Sequence, residues 1–157
     1  MYKRDEPLKI RNIKNGISID HIDAGKAPQV LRILGIDENF KDSVTLAMNV
    51  FSHKMKKKDI VKVENRDLDV EEINKIAIVA PNATINWIKD FKVVRKEKVK
   101  LPKEIVSIIK CPNPSCVSNK EREPITSVFY VKRNKNVRLV CKYCEREIGI
   151  DEIKDLL

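Results

Sequence analysis

The chain's four cysteines all lie in two short stretches, Cys111-Pro112-Asn113-Pro114-Ser115-Cys116 and Cys141-Lys142-Tyr143-Cys144. Four residues separate the first pair of cysteines, two separate the second pair, and 24 lie between the pairs. Two turns of this kind can present four thiolates to one tetrahedral Zn²⁺ ion, with Zn–S bonds of about 2.3 Å. Because four protein ligands leave no coordination position for water or substrate, we expect a structural metal.

Two disulfides, or four buried free thiols, are the alternatives to zinc. The sequence shows no signal peptide and no run that approaches the ~20 apolar residues of a membrane helix. We therefore expect a cytoplasmic protein without membrane association. In that reducing compartment disulfides do not persist, so the prediction is one zinc ion held by Cys111, Cys116, Cys141 and Cys144.

The pattern of apolar residues before the cysteines predicts the order strand, helix, strand, strand, helix, strand. Asp69, followed by Glu72, has the spacing of a helix capping box. This order is typical of the split βαβ, or ferredoxin-like, arrangement, in which both helices cover one face of the sheet. The other face is then free for a ligand or a partner subunit. The predicted segments are residues 9–21 with a kink at Asn15-Gly16, 27–34, 44–50, 60–64, the helix after Asp69, and a β-rich run over 84–96.

The part of the chain that contains the cysteines is predicted to form a second, mostly β unit. Residues 97–102 have the polarity of a linker, a hairpin is expected over 125–132 and 137–141, and Asp151 is expected to cap a short last helix ending at residues 156–157. About 50 residues bury too little apolar surface to fold alone, so the metal must supply the missing stability. The prediction is an α+β protein with a ferredoxin-like (βαββαβ) domain at 1–100 and a rubredoxin-like or zinc-ribbon-like domain at 101–157.

The composition argues against an enzyme and in favour of a binding module. The chain has two histidines, neither in a catalytic motif, and four glycines, too few for the usual phosphate-binding loop. Its cysteines are assigned to the metal. The formal net charge of +9 favours a polyanionic ligand, although acidic and basic residues are interspersed along the sequence.

Several separated strings, in one order, carry a more specific signal. Together they resemble the regulatory chain of aspartate carbamoyltransferase, from about Leu8 to Glu147. The strings are Ile19-Asp20-His21-Ile22, Lys58-Asp59, Lys62-Val63-Glu64-Asn65, Ala80-Pro81, Ala83-Thr84-Ile85-Asn86, Val93-Val94-Arg95-Lys96, Cys111-Pro112-Asn113 and Cys141-Lys142-Tyr143-Cys144-Glu145.

This resemblance implies a non-catalytic regulatory subunit of pyrimidine biosynthesis. Its N-terminal domain would bind CTP and ATP, with UTP acting in some members, and would form a homodimer through its sheet. Its zinc domain would dock on the catalytic chain, in a dodecamer of two catalytic trimers and three regulatory dimers. Neither nucleic acid nor membrane is an expected partner. Residues that match the contact with the catalytic chain are Asn113, Lys142, Tyr143 and Glu145.

The resemblance also implies a nucleotide site. Without it, Asp20 is a strand-end residue and Lys96 a solvated lysine. With it, His21, Asn86 and Lys96 match positions at the phosphates, Lys62 matches a lysine at the ribose and phosphates, and Asp20 matches the carboxylate at the ribose. Positions that surround the base, partly through backbone groups, are matched by Ile13, Phe91 and Val93.

Two positions depart from the family pattern. Phe91 stands where the family has a tyrosine, so the ring is kept and a hydroxyl is lost. Pro7 stands where the family has a lysine that helps to hold phosphates, so Lys3, Arg4 or Lys9 would have to replace it. These departures bear on nucleotide affinity and on the ranking of effectors.

A zinc-ribbon protein that binds nucleic acid is the alternative interpretation. The predicted hairpin carries Lys132, Arg133, Lys135 and Arg138, but Glu121, Glu123, Glu145 and Glu147 dilute this charge. Binding to a phosphate backbone would weaken steeply with added salt, whereas docking on a catalytic subunit would depend on zinc.

Overall fold

The computed structural model describes residues 12–153, which form two antiparallel sheets with few helices. The first sheet has five strands in the order β2-β3-β1-β4-β5. Two helices, α1 and α2, follow β1 and β3, as the ferredoxin-like prediction requires. The bounds are β1 Gly16–Asp23, α1 Ala27–Ile33, β2 Val44–Ser52, β3 Lys56–Glu64, α2 Val70–Val79, β4 Thr84–Lys89 and β5 Lys92–Lys98.

Both helices pack on the same face of this sheet. Alternate residues of the central strands are buried against them, because successive side chains of a strand point to opposite faces. The helix α2 begins with the predicted capping box: Asp69 accepts from the backbone N–H of Glu72 at 2.8 Å, and Glu72 accepts from the N–H of Asp69 at 3.2 Å. The core includes Ile17, Ile19, Val61, Val63 and Ile85 of the strands and Val30, Leu34, Ile76 and Ala77 of the helical segments.

The first strand begins later than the sequence predicts. Asn15-Gly16 does not kink a strand over residues 9–21; the strand starts at Gly16, and residues 9–11 lie outside the described residues. Gly16 has φ +145, and a Cβ atom there would lie 2.1 Å from the carbonyl oxygen of Val63. Only glycine permits this close approach between β1 and β3.

The run over residues 84–96 is a hairpin and not a single strand. Asp90 and Phe91 form its turn with φ values of 50 and 67, and the Phe91 N–H donates to the Lys14 carbonyl at 2.9 Å. The turn between the second and third strands is also shorter than the gap between the predicted segments 44–50 and 60–64, since β2 extends to Ser52 and β3 begins at Lys56. The first sheet therefore has five strands, with β2 and β5 at its edges.

The second sheet has four short strands in the order β6-β7-β8-β9. The predicted hairpin is β7-β8, which starts at Val128 and not at residue 125. Asp151 lies inside a last 3₁₀ turn and does not cap it; residues 156–157 lie outside the described residues. The linker is shorter than predicted, because β5 runs to Lys98. The bounds are β6 Glu104–Val106, β7 Val128–Arg133, β8 Val137–Cys141 and β9 Glu147–Gly149, with 3₁₀ turns at Val117–Asn119 and Ile150–Ile153.

The two sheet units touch each other. Ile78 of α2 is fully buried in the hydrophobic cluster of the second unit, together with Ile105, Ile109 and Ile153. The division at residues 1–100 and 101–157 stays a prediction, because one side chain of α2 belongs to the second core. None of the helices described within residues 12–153 is long and apolar enough to span a membrane.

We expect Gly16→Ala to lower the free energy of unfolding of the first unit by about 2–3 kcal/mol, because the added methyl group meets the Val63 carbonyl. Gly35→Ala is the matched control: Gly35 also has positive φ but no atom within 4 Å of an added Cβ, so its cost is about 1 kcal/mol. Urea unfolding followed by the fluorescence of Trp87, the single tryptophan, measures both. Equal losses in the two variants would contradict the steric argument.

Candidate functional site

The four cysteine sulfurs meet at one point of the second unit. All four Sγ atoms lie within 4.8 Å of one another. Cys111 and Cys144 are separated by 3.6 Å, and Cys116 and Cys141 by 3.7 Å. A disulfide has a length of about 2.05 Å, whereas four sulfurs at about 2.3 Å from a tetrahedral centre are separated by about 3.8 Å. The spacing fits a metal ion and excludes disulfide bonds between these atoms.

Side-chain amides fix the shape of the first cysteine turn. Asn113 accepts the Ser115 N–H at 3.0 Å, and its carbonyl accepts the Cys116 N–H at 3.0 Å. Asn119 donates to the carbonyl oxygens of Cys111 and Asn113, at 2.8 and 2.7 Å. Hydrogen bonds therefore close the four-residue gap between Cys111 and Cys116.

The second cysteine turn is closed by the backbone. Glu145, with φ 60, donates its N–H to the Cys141 carbonyl at 3.0 Å, and Cys141 donates to the Arg146 carbonyl at 3.0 Å. Backbone N–H groups of Tyr143 and Cys144 point at the Cys141 sulfur. Such N–H groups stabilise negative charge on sulfur, which a bound thiolate requires.

The thiols differ in acidity. Burial raises the pKa of Cys111 to about 12 and also raises the pKa of Cys141. Burial acts in the same direction on Cys144, but the Arg146 N–H and the Asn113 side chain lower the pKa of Cys144 to about 7. A metal must displace protons from the thiols, so its affinity falls as the pH falls.

These four residues fit a structural zinc ion. Their donor set is all sulfur, which suits Zn²⁺, and it fills every position of a tetrahedron. Zinc bound there would link the loop after β6 to the end of β8 and the turn before β9. It would hold the turns in place and take part in no reaction.

Three of the four residues predicted to contact phosphates lie in one row across the open face of the first sheet, and the fourth, His21, lies beside it. Lys62 is paired with Ser18, Ser18 with Asn86, and Asn86 with Lys96, on the adjacent strands β3, β1, β4 and β5. Residues directly opposite each other in an antiparallel pair point to the same face. Their sequence neighbours, such as Ile17 and Ile85, are buried on the helical face, so this row faces away from the helices.

Asp20 and His21 lie beside this row in a bulge of β1. Burial would raise the pKa of Asp20, but the Lys58 ammonium 2.9 Å away and the His21 N–H lower it below its ordinary value. The carboxylate is therefore ionised at neutral pH. His21 has φ 55, and its buried Nδ1 atom has no hydrogen-bond partner.

The three residues predicted to surround a base are divided. Phe91 and Val93 are 62% and 56% exposed at the tip of the β4-β5 hairpin, and Val93 is paired with Ile88 on the open face. Ile13 is 4% exposed, so its side chain offers no surface to a ligand. A contact there would have to come from the backbone.

Sequence reasoning missed two residues of this face. Ser18 lies between Lys62 and Asn86 in the row, and Lys58 pairs with Asp20. Strand alternation counted back from Asp20 would have placed Ser18 on the same face. Lys58 is part of one of the family strings, but strand alternation cannot place it beside Asp20, because the bulge changes the register between β1 and β3.

Comparison with known proteins identifies the family. The allosteric domain of the aspartate carbamoyltransferase regulatory chain matches residues 8–100, and the metal binding domain of that chain matches residues 103–154. The chain belongs to this family. It is therefore a non-catalytic regulatory chain of the pyrimidine pathway, and the family implies a catalytic chain as its partner.

Curated relatives agree over nearly the full length. Each is named aspartate carbamoyltransferase regulatory chain. The relative from Staphylothermus marinus is 48% identical, covering 99% of this chain and 94% of the relative. The relative from Thermococcus kodakarensis is 50% identical, with 94% and 96% coverage, and that from Archaeoglobus fulgidus is 51% identical, with 90% and 93% coverage.

We expect the purified regulatory chain to carry about one zinc ion, as the four-sulfur site requires, and Cys116→Ser to lose it. Loss of zinc should remove hydrogen-exchange protection from β7 and β8 but leave β1 and β3 protected, because only the second unit is built on the metal. Ser115→Ala is the control, since Ser115 is exposed between the two cysteines.

Acid should release the metal in the same experiment, because protonation of Cys111 and Cys141 competes with coordination. Metal analysis after dialysis at decreasing pH measures this release. Retention of the full protection pattern by a zinc-free chain would show that the second unit does not need the ion.

Proposed function

We propose that this regulatory chain binds CTP and ATP, with UTP as a further candidate effector, on the open face of its first sheet and thereby controls the catalytic trimers. The observation that carries the proposal is the row Lys62, Ser18, Asn86 and Lys96 across four adjacent strands. Two ammonium groups and the amide of Asn86 face the same space, and the Ser18 side chain between them is buried. That combination suits a polyphosphate.

The groups beside the row suit the rest of a nucleotide. The ionised carboxylate of Asp20 can accept hydrogen bonds from ribose hydroxyls. Phe91 and Val93 offer exposed apolar surface to a base. Backbone carbonyl groups near them would accept from the amino group of cytosine or adenine, which uracil lacks. The partly exposed imidazole of His21, beside Asp20, would serve the phosphates.

The two departures from the family pattern affect the strength of binding. The Phe91 ring can still stack on a base, but it cannot donate the hydroxyl of a tyrosine. Pro7, which lies outside the described residues, supplies no charge, so a triphosphate would depend more on Lys62 and Lys96. We therefore expect these two lysines to contribute most of the phosphate affinity.

Two copies of the chain would form a homodimer through the first sheet. The edge strand β2 presents unpaired backbone groups together with the exposed side chains of Leu46, Met48 and Phe51. Exposed apolar edges of this kind pair with another chain unless something covers them. A second copy of the chain would bury them.

The metal-binding domain would dock on the catalytic chain through its cysteine turns. Asn113 lies in the first turn, and Lys142, Tyr143 and Glu145 lie in and just after the second. Through this docking, two catalytic trimers and three regulatory dimers would assemble into a dodecamer, which we place in the cytoplasm. Regulation would follow if each nucleotide binds one quaternary state better than the other, usually with a coupling of about 1–3 kcal/mol.

The direct test mixes the zinc-loaded chain with an aspartate carbamoyltransferase catalytic trimer. Complex formation is followed by sedimentation, and carbamoylation of aspartate by activity with and without CTP or ATP. We expect a large complex whose activity changes with nucleotide. A complex without any response would refute the effector assignment, and a chain that forms no complex would refute the docking assignment.

The nucleotide site itself is tested by Lys96→Ala and Lys62→Ala. Each should weaken nucleotide binding by about 10- to 100-fold, since a hydrogen bond to a charged group contributes about 1.5–3 kcal/mol, and should leave zinc content and assembly unchanged. Lys75→Ala is the control, because Lys75 lies on α2, on the covered side of the sheet, with Glu71 as its partner. Calorimetric titration with CTP gives the affinities. Unchanged affinity in both β-sheet variants would exclude the row as the phosphate site.

A further inference from the structure

Asp59 of β3 is fully buried, yet it carries a carboxylate. One oxygen accepts the backbone N–H groups of Gly25 at 2.9 Å and Ala27 at 3.0 Å, and the other accepts the N–H of Asn49 at 2.9 Å. Hydrogen bonds from N–H groups to an ionised acceptor are stronger than neutral ones. Asp59 therefore fixes the loop between β1 and α1 and, at the same time, a point on the edge strand β2.

Both strands that flank β3 are irregular next to Asp59. The pairing of β1 shifts at Asp20 and His21, and the pairing of β2 shifts at Met48 and Asn49. His21 and Asn49 have φ values of 55 and 58. The bulge in β2 removes the Asn49 N–H from the hydrogen bonds of the sheet, and the Asp59 carboxylate accepts it instead. It thus lies between the proposed effector site and the proposed dimer edge.

Lys26 lies between the two loop residues that Asp59 holds. Its Nζ atom is 2.8 Å from Oδ1 of Asp151, in the last 3₁₀ turn of the second unit. The Lys26 side chain is 17% exposed and the Asp151 side chain 89%. Because Gly25 and Ala27 are both bonded to the same carboxylate oxygen, the direction of the Lys26 side chain depends on the position of Asp59.

Resting on the nucleotide binding proposed above, we propose that Asp59, Lys26 and Asp151 form an interdomain clamp that transmits effector binding from the β1 bulge to the metal-binding domain. Asp20 pairs with Lys58, the neighbour of Asp59, at 2.9 Å. A ribose hydroxyl that bonds to Asp20 competes with the Lys58 ammonium for this carboxylate. Lys58 and Asp59 of β3 then shift, and the loop that carries Lys26 shifts with them. Asp59 acts as a positioning residue, since its carboxylate is fully buried and bonds to backbone N–H groups.

The test uses the full chain assembled with catalytic trimers and the variants Lys26→Met and Asp151→Asn. Nucleotide affinity, zinc content and activity without effector should stay unchanged, whereas the ratio of activity with ATP to activity with CTP should move toward one by about two- to fivefold, the factor that a partly exposed ion pair supplies. Glu71→Gln is the matched control, because it removes an exposed carboxylate paired with Lys75 at 3.3 Å within one helix.

Charge reversal separates a clamp from a merely structural contact. The double variant Lys26→Asp with Asp151→Lys should recover at least part of the response that the single variants lose, as a coupled pair requires. Asp59→Asn should reduce the response in the same direction if it folds with its zinc.

The clamp would be overturned if Lys26→Met and Asp151→Asn both kept the full activity response to nucleotide, or if Glu71→Gln lost as much of it. Either result would leave the proposed nucleotide binding intact. If the unaltered chain binds neither CTP nor ATP, the clamp and the proposed function fail together.

Discussion

The meeting of four cysteine sulfur atoms at one point, where they fit a metal ion, is the constraint on which the second unit depends. Its strands are short, and its buried cluster is small and itself includes Cys111, Cys116 and Cys141. Removing the ion would leave thiols with raised pKa values in the middle of that cluster. We therefore expect binding of the ion and folding of this unit to be a single event.

Strand register organises the first unit. A core of branched aliphatic side chains on one face forces the alternating polar residues onto the other. Once Ile17, Ile19, Val61 and Ile85 are buried, the lysines and amides between them can only line the open face. The polar row therefore follows from the packing of the helices on the other face. A register shift of one residue in any strand would move that strand's polar side chains to the helical face and destroy the row.

Features that depend on neighbours in sequence could be predicted, and features that depend on distant backbone could not. The cysteine spacing and the Asp69 capping box are local patterns, and both appear as expected. The hairpin turn at Asp90 and Phe91 was missed because neither residue is glycine, although both have positive φ. Asp59 is part of one of the family strings, but its contacts could not be predicted because its partners lie 34, 32 and 10 residues away.

The burial of Ile78 in the second core has a consequence for any attempt to divide the chain. A cut near residue 100 would separate α2 from the cluster that surrounds this side chain. The isolated N-terminal fragment would expose the Ile78 side chain to solvent. The isolated zinc fragment would have a cavity where this side chain packs in the intact chain. We therefore expect each fragment to aggregate more readily and to be less stable than the intact chain, so experiments on this protein are better done with the full length.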